Sequence, residues 1–127
     1  MSGLVLDTGA LIALETPGKR RTLTTALERL DTDAKIVISA GCLAEVWRGS
    51  ARQARLAMLL RHRTTVVEEI TTPVAKAIGV FLGRYPNADD IVDAHVVMLA
   101  NRYRLAAMTS DPNDLLAIDP KLPVIEV

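Results

Sequence analysis

Short apolar runs recur along the chain, and each gives way to a segment with helical spacing. Leu4-Val5-Leu6 stops at Asp7, and Ile36-Val37-Ile38 leads into Ser39. Residues 64–70 are rich in β-branched side chains, 105–109 form a further apolar run, and Val124-Ile125-Glu126-Val127 closes the chain. Between them, leucines and alanines fall at 3- and 4-residue steps, as at Leu23, Ala26, Leu27 and Leu30. Strands buried on both faces read as such continuous runs, and their alternation with helices implies α/β with a mainly parallel sheet of four to five strands. The spacing predicts helices over residues 8–14 (stopped by Pro17-Gly18), 20–30, 39–47 (ended by Gly49), 51–60 and 72–84, with Thr72 as N-cap and Pro73 at N1. Another long helix starts at Asp89 or Asp90 and reaches Tyr103, and Asp111-Pro112 opens one turn through Leu116. No repeat or linker interrupts the pattern, so 1–127 reads as a single domain.

Composition narrows the function. Fifteen Lys+Arg balance fifteen Asp+Glu, which excludes a basic tail for nucleic acid or anionic membrane but leaves room for a local patch. One cysteine excludes an internal disulfide framework and a cysteine-based zinc site, and suits a reducing, cytoplasmic setting. Apolar runs fall far short of the ~20 residues of a membrane span. No basic segment followed by a long apolar one marks a signal peptide.

In open α/β sheets, ligands gather outside the carboxyl ends of the strands. Asp7 stands where the first run ends, and Asp111 just past the run through Met108 and Thr109. Glu45 lies in the helix after the second run, and Asp90 and Asp93 share a helix face three residues apart. Four segments thus aim carboxylates at one end of the sheet. Each has a plainer reading. Asp7 can N-cap a helix; Asp111 before Pro112, with Asp114 three on, resembles an N-cap with an acidic N3. Asp89 and Asp90 suit a helix dipole, and Glu45 can pair with Arg48. Asp93 resists such a reading, because it sits in an otherwise apolar helix where a free charge is costly. Clustered carboxylates repel one another, and a hard divalent ion such as Mg²⁺ or Mn²⁺ reverses that balance.

The same residues resemble the motifs of the PIN domain family, in order and across nearly the whole chain. Leu4-Val5-Leu6-Asp7-Thr8-Gly9-Ala10-Leu11-Ile12-Ala13-Leu14 resembles its opening, and Leu43-Ala44-Glu45-Val46 its second acidic motif. Ile91-Val92-Asp93-Ala94-His95 resembles the third, and Thr109-Ser110-Asp111-Pro112-Asn113-Asp114-Leu115 the last. The length is that of VapC-type toxins of type II toxin–antitoxin pairs. The resemblance implies a PIN-like three-layer α/β/α sandwich and an Mg²⁺- or Mn²⁺-dependent endoribonuclease, silenced by a cognate VapB-like antitoxin and favouring a homodimer. It implies an acidic quartet of Asp7, Glu45, Asp93 and Asp111. Asp7, Asp93 and Asp111 would ligate metal, and Glu45 would bind through water or act as base. Asp90, Thr109, Thr8 and Asp114 would assist.

Other residues carry less. If the helices at 39–47 and 51–60 run nearly continuously, Arg48, Arg52 and Arg55 line one side and can hold RNA phosphates; a surface position is the plainer reading. Trp47 is expected to pack, Cys42 to be a buried inert thiol, His62 to be exposed at a helix end, and His95 to be structural or to meet a partner. Two alternatives stand beside the nuclease: a receiver-like phosphoacceptor switch, which also holds Mg²⁺ in an acidic pocket, and a non-catalytic PIN scaffold binding RNA or protein.

Overall fold

A computed structural model describes residues 2–127. Five strands and seven α-helices alternate among them: β1 (Gly3–Leu6), α1 (Thr8–Ala13), α2 (Pro17–Glu28), β2 (Lys35–Ser39), α3 (Ala40–Val46), α4 (Ala54–Arg61), β3 (Thr65–Glu68), α5 (Thr72–Gly83), α6 (Ile91–Tyr103), β4 (Ala106–Thr109), α7 (Pro112–Leu116) and β5 (Val124–Glu126). All pairings are parallel, in the order β3-β2-β1-β4-β5.

Every residue of β1 is buried, as is every residue of β2 after Lys35. Successive strand side chains point to opposite faces, so helices must cover both faces, which makes the three layers. The edge strands β3 and β5 are short and only partly buried. Helix α6 buries Ala94, His95, Val96, Val97, Leu99 and Ala100, which accounts for its nearly unbroken apolar sequence. Leu4, Leu6, Leu11, Leu23, Ile38, Leu56, Met108 and Leu115 fill the core.

Register aligns the strand ends. Leu6 lies beside Ile38 on one side and Met108 on the other, so Asp7, Ser39 and Thr109 emerge at one edge of the sheet. The order reverses between β1 and β4, the position where open α/β sheets leave a crevice.

Local chemistry moves several expected boundaries. Pro17 does not merely stop a helix; it takes N1 of α2 behind Thr16, where its missing N–H costs nothing. The cap of α5 is Thr71, whose hydroxyl accepts from Val74 N at 3.3 Å, so Pro73 falls at N2. The helices at 39–47 and 51–60 are not continuous. Trp47 is extended, Gly49 has φ +69°, and a 3-10 turn (Ala51–Gln53) precedes α4. Glu15 then caps α4 from a distance, accepting from Arg55 N at 2.9 Å and Leu56 N at 3.1 Å. Among the described residues, no helix is long and apolar enough to cross a membrane.

Candidate active site at the carboxyl edge of the sheet

Asp7 is 9% exposed and tied into the sheet by its own N–H, which donates to Met108 O at 3.1 Å. Its carboxylate caps α1, accepting from Ala10 N at 3.2 Å, so the cap and the pocket position belong to one residue. Burial raises its pKa; the Thr109 hydroxyl and the N–H groups of Ala10 and Gly9 oppose that, and the charge of Asp111 adds to it. Thr109 is fully buried, and its Oγ1 also accepts from Asp111 N at 2.9 Å.

Glu45 is exposed at the end of α3, where its Oε1 accepts from Thr8 Oγ1 at 3.0 Å. Arg48 does not pair with that carboxylate. Its guanidinium donates instead to the main-chain oxygens of Trp47 (2.8 Å) and Glu45 (3.0 Å) at the helix end. Asp90 caps α6, accepting from Val92 N at 2.8 Å and Asp93 N at 3.0 Å, and so presents Asp93 in the first turn. Half-buried Asp93 is pushed up to about 7, by burial first and then by the charges of Asp90, Asp114, Asp7 and Glu45. Asp111 stands at the N-cap position of α7 but makes no side-chain capping bond, so the capping reading does not use its carboxylate. Asp114 is raised by desolvation, by a hydrogen bond with Asp111 and by the charges of Asp111 and Asp90.

Two glycines let these segments meet. A Cβ on Gly9 would stand 1.9 Å from Ser110 Oγ, so only glycine lets the first turn of α1 pass the β4–α7 loop. A Cβ on Gly41 would stand 2.9 Å from Val92 Cγ2, where α3 meets α6. Ser39 and His95 reinforce that second contact. The Ser39 hydroxyl accepts from Gly41 N at 3.1 Å and lies 2.6 Å from His95 Nδ1. His95 is 3% exposed and its pKa is lowered by burial, which supports the structural reading. The sequence marks Ser39 as a helix start but conceals its bond to His95, 56 positions on; Ser110 carried no signal beyond its place in the last motif.

The carboxylates form an electrostatic group rather than a finished cage. Asp90, Asp93 and Asp114 line a cleft of about 210 Å³ with Asp89 and Ile118, while Asp7, Glu45 and Asp111 lie outside it. Among the described residues, no three His, Cys, Asp or Glu side chains already form a metal-binding group. An all-oxygen donor set of this kind matches a cation such as Mg²⁺, which takes only one or two carboxylates directly and keeps several waters.

The remaining candidates separate. Cys42 is buried, with its thiol pushed up to about 12, and is inert; His62 is exposed at the end of α4. Arg52 is exposed, and Arg55 is engaged by Glu15 at 3.4 Å instead of joining Arg48 and Arg52. Trp47 does not pack away as expected; it is 43% exposed, because the helix ends just before it. The receiver-like alternative fails on topology, since that fold has order 2-1-3-4-5.

Comparison with curated protein sequences gave no match. Several solved structures share the fold. One is "FitAB bound to IR36 DNA fragment", 15% identical over 97% of this chain and 94% of that one, with TM-score 0.65. The Mycobacterium tuberculosis protein VapC20, described as a "Sarcin-Ricin loop cleaving toxin", is 21% identical over 82% of this chain and 86% of its own, with TM-score 0.64. FitAcB from Neisseria gonorrhoeae is 17% identical over 97% and 96%, with TM-score 0.64. The PIN domain pattern matches residues 4–119, a span that holds all four acidic segments and, but for Gly3, every strand before the last. With its five-stranded parallel sheet and a PIN pattern that spans most of its length, the chain belongs to the PIN domain family.

Proposed function

We propose that this PIN domain is a metal-dependent endoribonuclease and the toxin of a toxin–antitoxin pair. The observation that carries this reading is Asp93, raised to about 7 by burial and four neighbouring carboxylates at the crevice edge. Such repulsion is costly to maintain without a counter-charge, and a divalent cation supplies one. The description of VapC20 as a "Sarcin-Ricin loop cleaving toxin" agrees with it at the level of fold.

Asp7, Asp93 and Asp111 are the residues that would hold Mg²⁺, or Mn²⁺ in its place, one or two of them directly and the rest through its waters. When bound, the ion supplies charge to the scissile phosphate and acidifies a coordinated water. The chain's own groups do the rest. Thr109 fixes the Asp7 carboxylate and the Asp111 backbone together. Thr8 holds one oxygen of Glu45, and the exposed carboxylate takes the proton of the attacking water. Asp90 sets the first turn of α6 and with it the direction of Asp93; Asp114 has an auxiliary place beside Asp111.

A VapB-like antitoxin is the partner this reading requires, with a second copy of the chain completing a homodimer. A groove of about 330 Å³ beside Glu45 suits the antitoxin, with Leu11, Ile12, Val46 and Leu56 apolar and Glu45, Arg48 and Arg52 at its rim. The non-catalytic scaffold reading draws on one observation, the lack of a finished metal-binding group among the described residues. One assay separates the two. Purified chain is incubated with RNA in Mg²⁺, in Mn²⁺ and in EDTA, beside Asp93→Asn. Cleavage by wild type in either metal, and by neither EDTA sample nor variant, is the nuclease result. RNA left intact by folded wild type in both metals overturns it.

A further inference from the structure

Trp47 is the chain's only tryptophan and keeps 43% of its surface exposed, whereas Phe81, Tyr85 and Tyr103 pack against the core. An isolated exposed aromatic is ordinary. This one sits on a loop built to hold it still. Trp47 N donates to Leu43 O at 2.8 Å, and its carbonyl accepts from Arg48 Nη1 at 2.8 Å. Gln53 closes the loop from the far side, accepting from Arg48 N at 2.8 Å and donating to Val46 O at 2.7 Å. Gly49, with φ +69°, turns the backbone beneath the indole; a Cβ there would lie 3.8 Å from Trp47 Nε1. Both peptide groups flanking the tryptophan are therefore anchored, and little main-chain entropy remains to be lost when something binds.

The surroundings identify the occupant. Trp47 follows Glu45 by two residues, a backbone span of at most about 7 Å. Arg48 and Arg52 stand exposed on the same loop. Arg48 commits two N–H groups to carbonyls, and a guanidinium has five. An exposed aromatic face with two exposed arginines on the same loop matches an unpaired nucleobase and its phosphates: the base stacks, and the cations take the backbone.

We propose that Trp47, flanked by Arg48 and Arg52, is a stacking platform that seats an unpaired base of single-stranded RNA beside Glu45. The proposal rests on the nuclease reading for its substrate, and its test is kept separate from cleavage. Because Trp47 is the sole tryptophan, its emission reports only its own surroundings. Full-length Asp93→Asn in Mg²⁺ is titrated with a labelled single-stranded RNA oligonucleotide, and tryptophan emission is read beside the anisotropy of the label. The two curves should saturate together. Inorganic polyphosphate, which has charge but no bases, should leave the emission unchanged. Trp47→Ala should raise Kd about tenfold and Trp47→Phe should keep most of the affinity. Arg52→Gln should flatten the salt dependence of binding. Binding with emission unchanged, or with the same Kd for Trp47→Ala, overturns the platform. Emission that responds to a co-purified antitoxin and not to RNA overturns it in favour of a protein contact. Stacking without cleavage by wild type in Mg²⁺ or Mn²⁺ overturns the nuclease reading and leaves the platform standing.

Discussion

Asp93 folds against its own preference. Its carboxyl moves from an ordinary 3.8 to about 7, so the native chain holds that proton more tightly than the unfolded chain does. A carboxyl raised on folding subtracts stability as pH climbs from about 4 to about 7, and the full penalty stands above that. Asp7 and Asp114 are raised as well and act in the same direction; His95 is lowered and acts oppositely, below its ordinary 6.5. In EDTA at about pH 8, Asp93→Asn should therefore be more stable than wild type by about 1–2 kcal/mol, after discounting a half-solvated group for screening. The gap should close towards pH 5. Denaturant melts at both pH values check this, and a gap of constant size would show that the charge on Asp93 is not the cause. The same substitution, like Asp7→Asn or Asp111→Asn, should abolish RNA cleavage and growth arrest. An amide keeps the shape of the acid but not the charge, and wild-type cleavage by a folded variant would remove that residue from the proposed metal site. Asp93 was legible in sequence as the one charge in an apolar helix turn. Asp111 was ambiguous there, because an Asp before a proline also suits a cap; only the missing capping bond separates the two.

Between elements, the N-terminal halves of α3 and α6 are joined by the bond from the α3 cap Ser39 to His95 and by the close approach of Gly41 to Val92. One of these helices carries Glu45 and the other Asp93. Ser39→Ala removes a cap and leaves the buried His95 Nδ1 without its partner, which should cost about 1–3 kcal/mol. Thermal or denaturant unfolding measures it, and a loss within about 0.3 kcal/mol of zero would mean that the bond adds nothing to this join. Gly9→Ala should be damaging through Ser110, with cleavage lost while α1 and β4 are forced apart. Full cleavage by that variant would contradict the close packing of the two loops. Strand and helix order was readable from periodicity alone, since apolar runs and 3.6-residue spacing are local signals. Joins such as Ser39–His95 or Glu15 capping α4 were not, because nothing in either segment names a partner 40 or more positions away.

For the whole molecule, net charge zero conceals segregation. Asp7, Glu45, Asp90, Asp93, Asp111 and Asp114 belong to one edge of the sheet, and the Arg48–Arg52 loop adjoins it. Phosphates should be repelled from the edge until divalent ions neutralise it. RNA affinity, measured for Asp93→Asn in EDTA, Ca²⁺ and Mg²⁺, should be lowest in EDTA. Equal affinity in all three would mean that the arginine loop alone governs binding.

The strand order has a further consequence for the history of each molecule. Among the described strands β1 is made first and lies at the centre of the sheet, yet its neighbour β4 is made only at residues 106–109. A nascent chain shorter than this has Asp7 in place but neither Thr109 nor Asp111 beside it, and one side of its central strand lacks a hydrogen-bonding neighbour. The site is therefore completed only once Thr109 and Asp111 have been made. Incomplete products are sticky at an open strand edge, and they lack Thr109 and Asp111 beside Asp7.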